Sequence, residues 1–237
     1  MNMAANGEET KGYIFDYGGT LDTGGCHWGR RIWHAYEQEK VPVSEALFRE
    51  AYVYAERELG KNPIIQPDYT FRRTLSVKLR IEMEYISERQ DGFNIDDWHN
   101  AVLDNLYAAT SAETARSKKV LERLKAEKPM VLVSNFYGNI STVLAEFKLD
   151  GIFGSIIESA VVGVRKPDPR IFTLGVDALR LKPEEVTVVG DSYDKDILPA
   201  HKAGCRTVWM KGEPWNDADM IDSSAADRVI TSLDELL

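Results

Sequence analysis

Cysteine is scarce. Cys26 and Cys205 are the two in 237 residues, so no disulfide framework is available. Neither belongs to a Cys-x-x-Cys pair, and His27, His34, His99 and His201 show no metal-ligand spacing with them or with each other. That pattern excludes a zinc finger or ribbon. No stretch approaches 18 consecutive apolar residues, which excludes a membrane-spanning helix. The opening MNMAANGEETK lacks the apolar core of a secretory signal. Basic residues are outnumbered, 29 Lys and Arg against 38 Asp and Glu. A net charge of −9 does not supply the basic face that tracks a nucleic-acid backbone. Internal repeats, low-complexity tracts and long charge blocks are missing as well. The expectation is a cytoplasmic protein with neither membrane nor nucleic acid as a partner; no feature names a protein partner.

What is present is an ordinary globular balance, 43% hydrophobic and 28% charged residues. Gly12 to Asp16 is a short apolar run that ends on an acid before Gly18-Gly19, as a buried strand leaves a sheet and turns. From about Gly24 to Thr110 the apolar residues recur at helical spacing: Trp28, Ile32 and Tyr36; Leu47, Ala51 and Ala55; Phe71, Leu75 and Leu79; Trp98, Val102 and Leu106. About four helices are predicted there, with one starting at Ser44 and stopping near Leu59-Gly60. Beyond Glu113, helices alternate with Val/Ile-rich runs. The helices lie near Ala115–Ala126, Asp168–Leu179 and Asp194–Ala203. The runs are Met130–Val133, Ser155–Glu158, Val186–Val189, Thr207–Met210 and Arg228–Ile230. Such alternation predicts an α/β fold, a Rossmann-like parallel sheet core with an inserted all-helical unit. The core is expected at 1–23 and 111–237, and the helical insert at 24–110.

In open parallel sheets, ligand sites form beyond the carboxyl ends of the strands. The first run closes on Asp16 and the second on Ser134-Asn135. Lys166-Pro167 follows the third. Gly190-Asp191-Ser192 closes the fourth, with Asp196 five residues after Asp191. Acids, a hydroxyl and an ammonium therefore meet at one rim. Carboxylate oxygens suit a hard cation such as Mg²⁺, and the hydroxyl and ammonium suit an anion's oxygens. That equipment fits phosphoryl transfer, where catalysis is mostly positioning and charge neutralisation. Each piece also has a plainer reading. Ser134-Asn135 suits a helix cap, Lys166-Pro167 a solvated loop, and Asp194 a helix start.

Four segments in order and spacing carry a resemblance: DYGGTL at 16–21, VLVSN at 131–135, RKPDPRIF at 165–172 and VVGDSYDKD at 188–196. The chain resembles the haloacid dehalogenase superfamily, in its phosphatase-like branch with a helical cap. The resemblance implies that Asp16 is a nucleophile forming an aspartyl-phosphate, with Mg²⁺ as cofactor and a small phosphorylated metabolite as substrate. It implies Asp16, Asp191 and the backbone carbonyl of Gly18 as metal ligands. Ser134, Asn135 and Lys166 bind phosphate, and Lys166 also holds Asp16. Asp196 and Ser192 support the site.

One position departs from the pattern. Phosphatases of that branch carry a second aspartate where this chain has Gly18, and it serves as general acid and base. Such help is typically worth about 10²–10⁴-fold in rate. His27 is the candidate replacement, because its unperturbed pKa of ~6.5 suits proton transfer; Asp22 is nearby in sequence but past the turn. The departure leaves two alternatives open. One is phosphonatase-like or other chemistry on the same core, with Lys61 or Lys78 as a cap lysine. The other is a catalytically silent member that binds a phosphorylated ligand or a partner.

Overall fold

The computed structural model describes residues 10–215 and 223–237. The first nine residues of the expected core segment 1–23, and residues 216–222, lie outside them. Six strands form one sheet: β1 (Gly12–Phe15), β2 (Met130–Ser134), β3 (Ser155–Glu158), β4 (Val186–Gly190), β5 (Arg206–Met210) and β6 (Arg228–Ile230). Their order is β3-β2-β1-β4-β5-β6, and every neighbouring pair is parallel. The chain builds outward from β1 in both directions, so β1 marks the point where the strand order reverses. Ligand crevices open at such points, beyond the carboxyl ends of the strands.

Side chains alternate across the sheet, and both faces are covered. Ile14, Val131, Val133, Val186 and Val188 pack against α7 (Arg170–Leu179), which follows the short α6 (Ser159–Val162), and against α8 (Leu198–Lys202). Tyr13, Phe15, Leu132, Val189 and Val208 share the other core with the helical insert and α5 (Ile140–Glu146). Burial on two sides explains why β2 and β4 read as unbroken apolar runs.

The insert holds α1 (Trp28–Gln38), α2 (Glu45–Lys61), α3 (Phe71–Ser87) and the start of α4 (Ile95–Lys125). Ser44 caps α2 as expected, accepting from the Leu47 N–H, while the helix runs on through Gly60 to Lys61. The helix expected at Ala115–Ala126 is not a separate element. It is the second half of α4, a single helix of 31 residues, so the boundary expected at 110/111 falls inside it. The buried face of α4 changes midway. Val102, Leu103 and Leu106 pack in the insert, and Val120, Leu121 and Leu124 on the sheet side. Between them the buried positions are Thr110, Thr114 and Ser117. Thr114 Oγ1 donates to the Thr110 carbonyl at 2.8 Å, and Ser117 Oγ donates to the Leu21 carbonyl at 2.8 Å. The apolar period lapses there, although the hydrogen-bonded helix does not.

Inside the helical layer Glu82 is fully buried, and neither carboxyl oxygen has a hydrogen-bond partner among the described residues. Burial raises its pKa to about 8, against the pull of Lys78 one turn earlier. The native state therefore holds this proton more tightly than the unfolded chain does. Its contribution is present at low pH and is lost as pH rises from about 4.5 to about 8. Glu82→Gln removes the titration, so chemical-denaturant stability should fall less between pH 5 and 8 than in wild type. Parallel pH profiles for the two proteins would contradict this burial.

Candidate active site

The rim is assembled from the ends of β1, β2 and β4 and the loop before α7. Asp16 follows β1 directly, and its N–H donates to the Val189 carbonyl at 3.0 Å, continuing the β1–β4 ladder. The residue is 6% exposed. Oδ1 accepts from Lys166 Nζ at 2.5 Å, and Oδ2 accepts from Thr20 Oγ1 at 3.1 Å. The same Thr20 hydroxyl lies 3.0 Å from Asp191 Oδ1. Lys166 Nζ lies 2.7 Å from Asp196 Oδ1, and Asp196 Oδ2 accepts from the Ser192 N–H at 3.0 Å. One buried ammonium thus stands between Asp16 and Asp196, while Thr20 joins Asp16 to Asp191.

Electrostatics follow from that crowding. Burial raises the Asp16 pKa to about 6; Lys166 pulls it down and Asp196 pushes it up. Asp191 is raised well above the ordinary range by burial and by the neighbouring Asp16 and Asp196. Burial works against the Lys166 ammonium, but Asp16 and Asp196 outweigh it and raise its pKa. Oxygens of Asp16, Asp191 and Asp196 lie within 4.8 Å of one another. Asp196 Oδ1 has no hydrogen-bond partner beyond its ion-pair contact among the described residues. An all-carboxylate donor set whose mutual repulsion one lysine does not cancel fits a hard divalent cation such as Mg²⁺.

The other expected residues take varied places. Ser134 closes β2, buried, at the same rim. Asn135, expected as a phosphate contact, lines the same rim. Its side chain accepts from the Lys166 N–H at 2.9 Å and donates to the Lys166 carbonyl at 3.1 Å. Both ends of the side-chain amide thus fix the lysine's backbone. Ser192 caps the wide π-type turn Tyr193–Ile197, accepting from Lys195 N–H, and its own N–H orients Asp196. His27 accepts from the Gly29 N–H through Nδ1 and so caps α1. Burial, with Lys195 and Lys78 nearby, lowers its pKa to about 4. The imidazole is neutral near pH 7, which removes the basis for choosing it as a proton donor.

Gly18 and Gly19 behave differently. Gly19 has φ +99°, and a Cβ there would fall 2.3 Å from Asp191 Oδ2, so only glycine fits. At Gly18 the φ lies outside the left-handed region, and a Cβ would meet nothing closer than Trp28 Nε1 at 3.8 Å. A side chain at 18 is absent without being forbidden.

Above the rim is a cavity of about 530 Å³, walled by core and insert together. Trp28, Tyr52, Phe71 and Phe136 give it aromatic surface, and Glu56 and Lys78 give it charge. Lys78 Nζ is ion-paired with Glu56 and stands 4.4 Å from the Tyr52 ring centroid. Arg72 and Arg73 stay on the surface, on Asp104 and the Tyr69 ring. Sequence reasoning missed Thr20, although it lies within the DYGGTL segment, and gave no sign that Glu56 and Lys78 share one wall. The order of two helices does not reveal which side chains meet between them.

A family model described as haloacid dehalogenase-like hydrolase matches residues 10–204. A glyceraldehyde 3-phosphate phosphatase of Pyrococcus furiosus is 31% identical over 183 residues, 76% of this chain and 71% of that one. Among solved structures, the HAD-hydrolase YfnB of Bacillus subtilis bound to magnesium aligns at 15% identity. Its TM-score is 0.58, with 97% of each chain covered. A dehalogenase aligns at 18% identity with TM-score 0.62, over 98% of this chain and 97% of its own. At those identities the two structures speak for the fold alone.

Thr20 carries a measurable consequence. Groups that orient ligating carboxylates typically hold about 10–100-fold of metal affinity. If Asp16 and Asp191 hold Mg²⁺, Thr20→Val weakens that binding by about that factor in titration calorimetry. Unchanged affinity would show that the bridging hydroxyl orders nothing.

Proposed function

The chain belongs to the haloacid dehalogenase-like hydrolase family, and we propose that it is a Mg²⁺-dependent phosphatase of small phosphate monoesters. The carrying observation is the buried contact of Lys166 Nζ with Asp16 Oδ1 at 2.5 Å, beside Thr20 and Asp191. A nucleophilic carboxylate needs its oxygen aimed, its charge supported and water kept off. Lys166 and Thr20 hold one oxygen each, and burial supplies the third condition.

In this reading Asp16 attacks phosphorus, and the ester oxygen leaves. Water then attacks the aspartyl-phosphate, which frees Asp16 and inorganic phosphate. Lys166 and the Ser134 hydroxyl hold phosphoryl oxygens, and Asn135 acts one step back by fixing the Lys166 backbone. Asp16, Asp191 and the Gly18 carbonyl are the residues to hold Mg²⁺, with Asp196 and Ser192 keeping Asp191's neighbourhood in order. When bound, the ion supplies charge neutralisation at the phosphoryl oxygens and offsets the repulsion among the acids. The Pyrococcus relative's name supports a small phosphorylated substrate, and the three crowded carboxylates support the metal. The aromatic and charged cavity suits a small organic leaving group. Lys78 lines that cavity, but its Nζ is engaged by Glu56 and the Tyr52 face. An imine-forming phosphonate reaction therefore gains no support from it.

The test is phosphate release from p-nitrophenyl phosphate and a panel of small phosphate esters, with and without Mg²⁺. Asp16→Asn serves as the background. Expected is metal-dependent turnover that Asp16→Asn abolishes. No ester turned over above the Asp16→Asn background would overturn the reading and leave a ligand-binding protein on the same fold.

A further inference from the structure

Position 18 leaves the proposed reaction without a proton donor, and His27 is neutral and occupied in capping α1. Another carboxyl in the cavity wall is placed differently. Asp22 is 1% exposed, yet it lines the cavity above Asp16. Its Oδ1 accepts from the Gly19 N–H at 2.7 Å, and its Oδ2 accepts from Trp28 Nε1 at 3.0 Å. Both anchors adjoin the Asp16 turn, so the carboxyl is fixed relative to the nucleophile. The Trp28 indole nitrogen is also the atom nearest to a Cβ placed at residue 18, at 3.8 Å. A carboxyl reaching in from 18 and the one reaching back from 22 would thus meet at the same N–H. The partners of Asp22 are two neutral donors; no lysine or arginine pairs with it among the described residues.

We propose that Asp22 is the proton donor to the leaving group, filling from the far side of the turn the place that Gly18 leaves open. The proposal rests on the phosphatase reading above. As Asp16 attacks, the bond from phosphorus to the ester oxygen breaks, and its electron pair stays on that oxygen. The Asp22 O–H proton moves to the same oxygen, giving an alcohol and the Asp22 carboxylate. In the second step that carboxylate takes a proton from water as the water oxygen bonds to phosphorus. The phosphorus–Asp16 bond then breaks, and both side chains return to their starting forms. Burial favours the protonated form of Asp22 and raises its pKa to about 7. Trp28 is a positioning residue, holding the carboxyl through its N–H.

Leaving-group chemistry separates this role from a structural one. A nitrophenolate leaves without a proton, its conjugate acid having a pKa near ~7, whereas an alkoxide with a pKa of ~15 does not. The experiment compares kcat/KM on p-nitrophenyl phosphate and on glycerol 2-phosphate for four proteins: wild type, Asp22→Asn, Trp28→Phe, and Asp22→Asn combined with Gly18→Asp. Asp22→Asn should lose about 10²–10⁴-fold on the alkyl ester and under about 10-fold on the nitrophenyl ester. Trp28→Phe should show the same selectivity on a smaller scale. The added Gly18→Asp should restore alkyl-ester turnover. Equal losses on both esters, or none, overturn the proposal. So does wild-type turnover confined to the nitrophenyl ester. If Asp22→Asn does not fold, the Trp28→Phe comparison decides alone. Wild type inert on both esters brings down the phosphatase reading itself, which is a distinct result.

Discussion

Everything at the rim depends on one ammonium. Lys166 reaches Asp16 and Asp196 from a loop after β3, and it does so almost wholly buried. Three acids, Asp16, Asp191 and Asp196, crowd the same end of the sheet, so a single positive charge leaves the cluster electrostatically incomplete. That deficit is what makes the cluster suited to a hard cation. It also explains why neighbouring groups are spent on holding the lysine and acids still. Asn135 clamps the Lys166 backbone, Ser192 orients Asp196, and Thr20 spans Asp16 and Asp191.

The cavity above this cluster is a joint product of two layers. β1, β2 and β4 set the floor, while Tyr52, Glu56 and Lys78 descend from α2 and α3. Trp28 belongs to the first turn of α1 but bonds to Asp22 in the turn after β1. The apolar spacing of Trp28, Ile32 and Tyr36 reads as packing, and for Ile32 and Tyr36, both fully buried, it is packing. Trp28 differs because its polar edge faces the site.

The sheet was legible because parallel strands buried on both faces announce themselves as short apolar runs, and each run's last residue points to the rim. Asp16, Ser134 and Asp191 all sit at such ends. Lys166 was legible through the spacing of its segment. Three things were not. The continuity of α4 was hidden because Thr110, Thr114 and Ser117 interrupt the apolar period where the helix passes between layers. The clamp of the Asn135 side chain on the Lys166 backbone was hidden because residue type gives no direction to an amide. Asp22 looked remote because its reach depends on a turn that needs Gly19 at positive φ and on an indole six residues later. All three depend on where side chains are aimed, and periodicity does not encode that.

Because α4 is one uninterrupted helix, it joins the two layers as a rod. At 1.5 Å per residue, its 31 residues span about 46 Å. The contact of Ser117 with the Leu21 carbonyl lies toward the sheet end, with Ile95 about 33 Å away along the axis. A tilt of roughly 5° about that contact moves the Ile95 end by about 3 Å, a helical rod being stiff over this length. The layer that walls the cavity is thus carried at the long arm of a lever. The Ser117 contact falls on Leu21, within the same turn that holds Thr20 and Asp22. A shift of the helix about that turn would be largest, by geometry, at the Ile95 end.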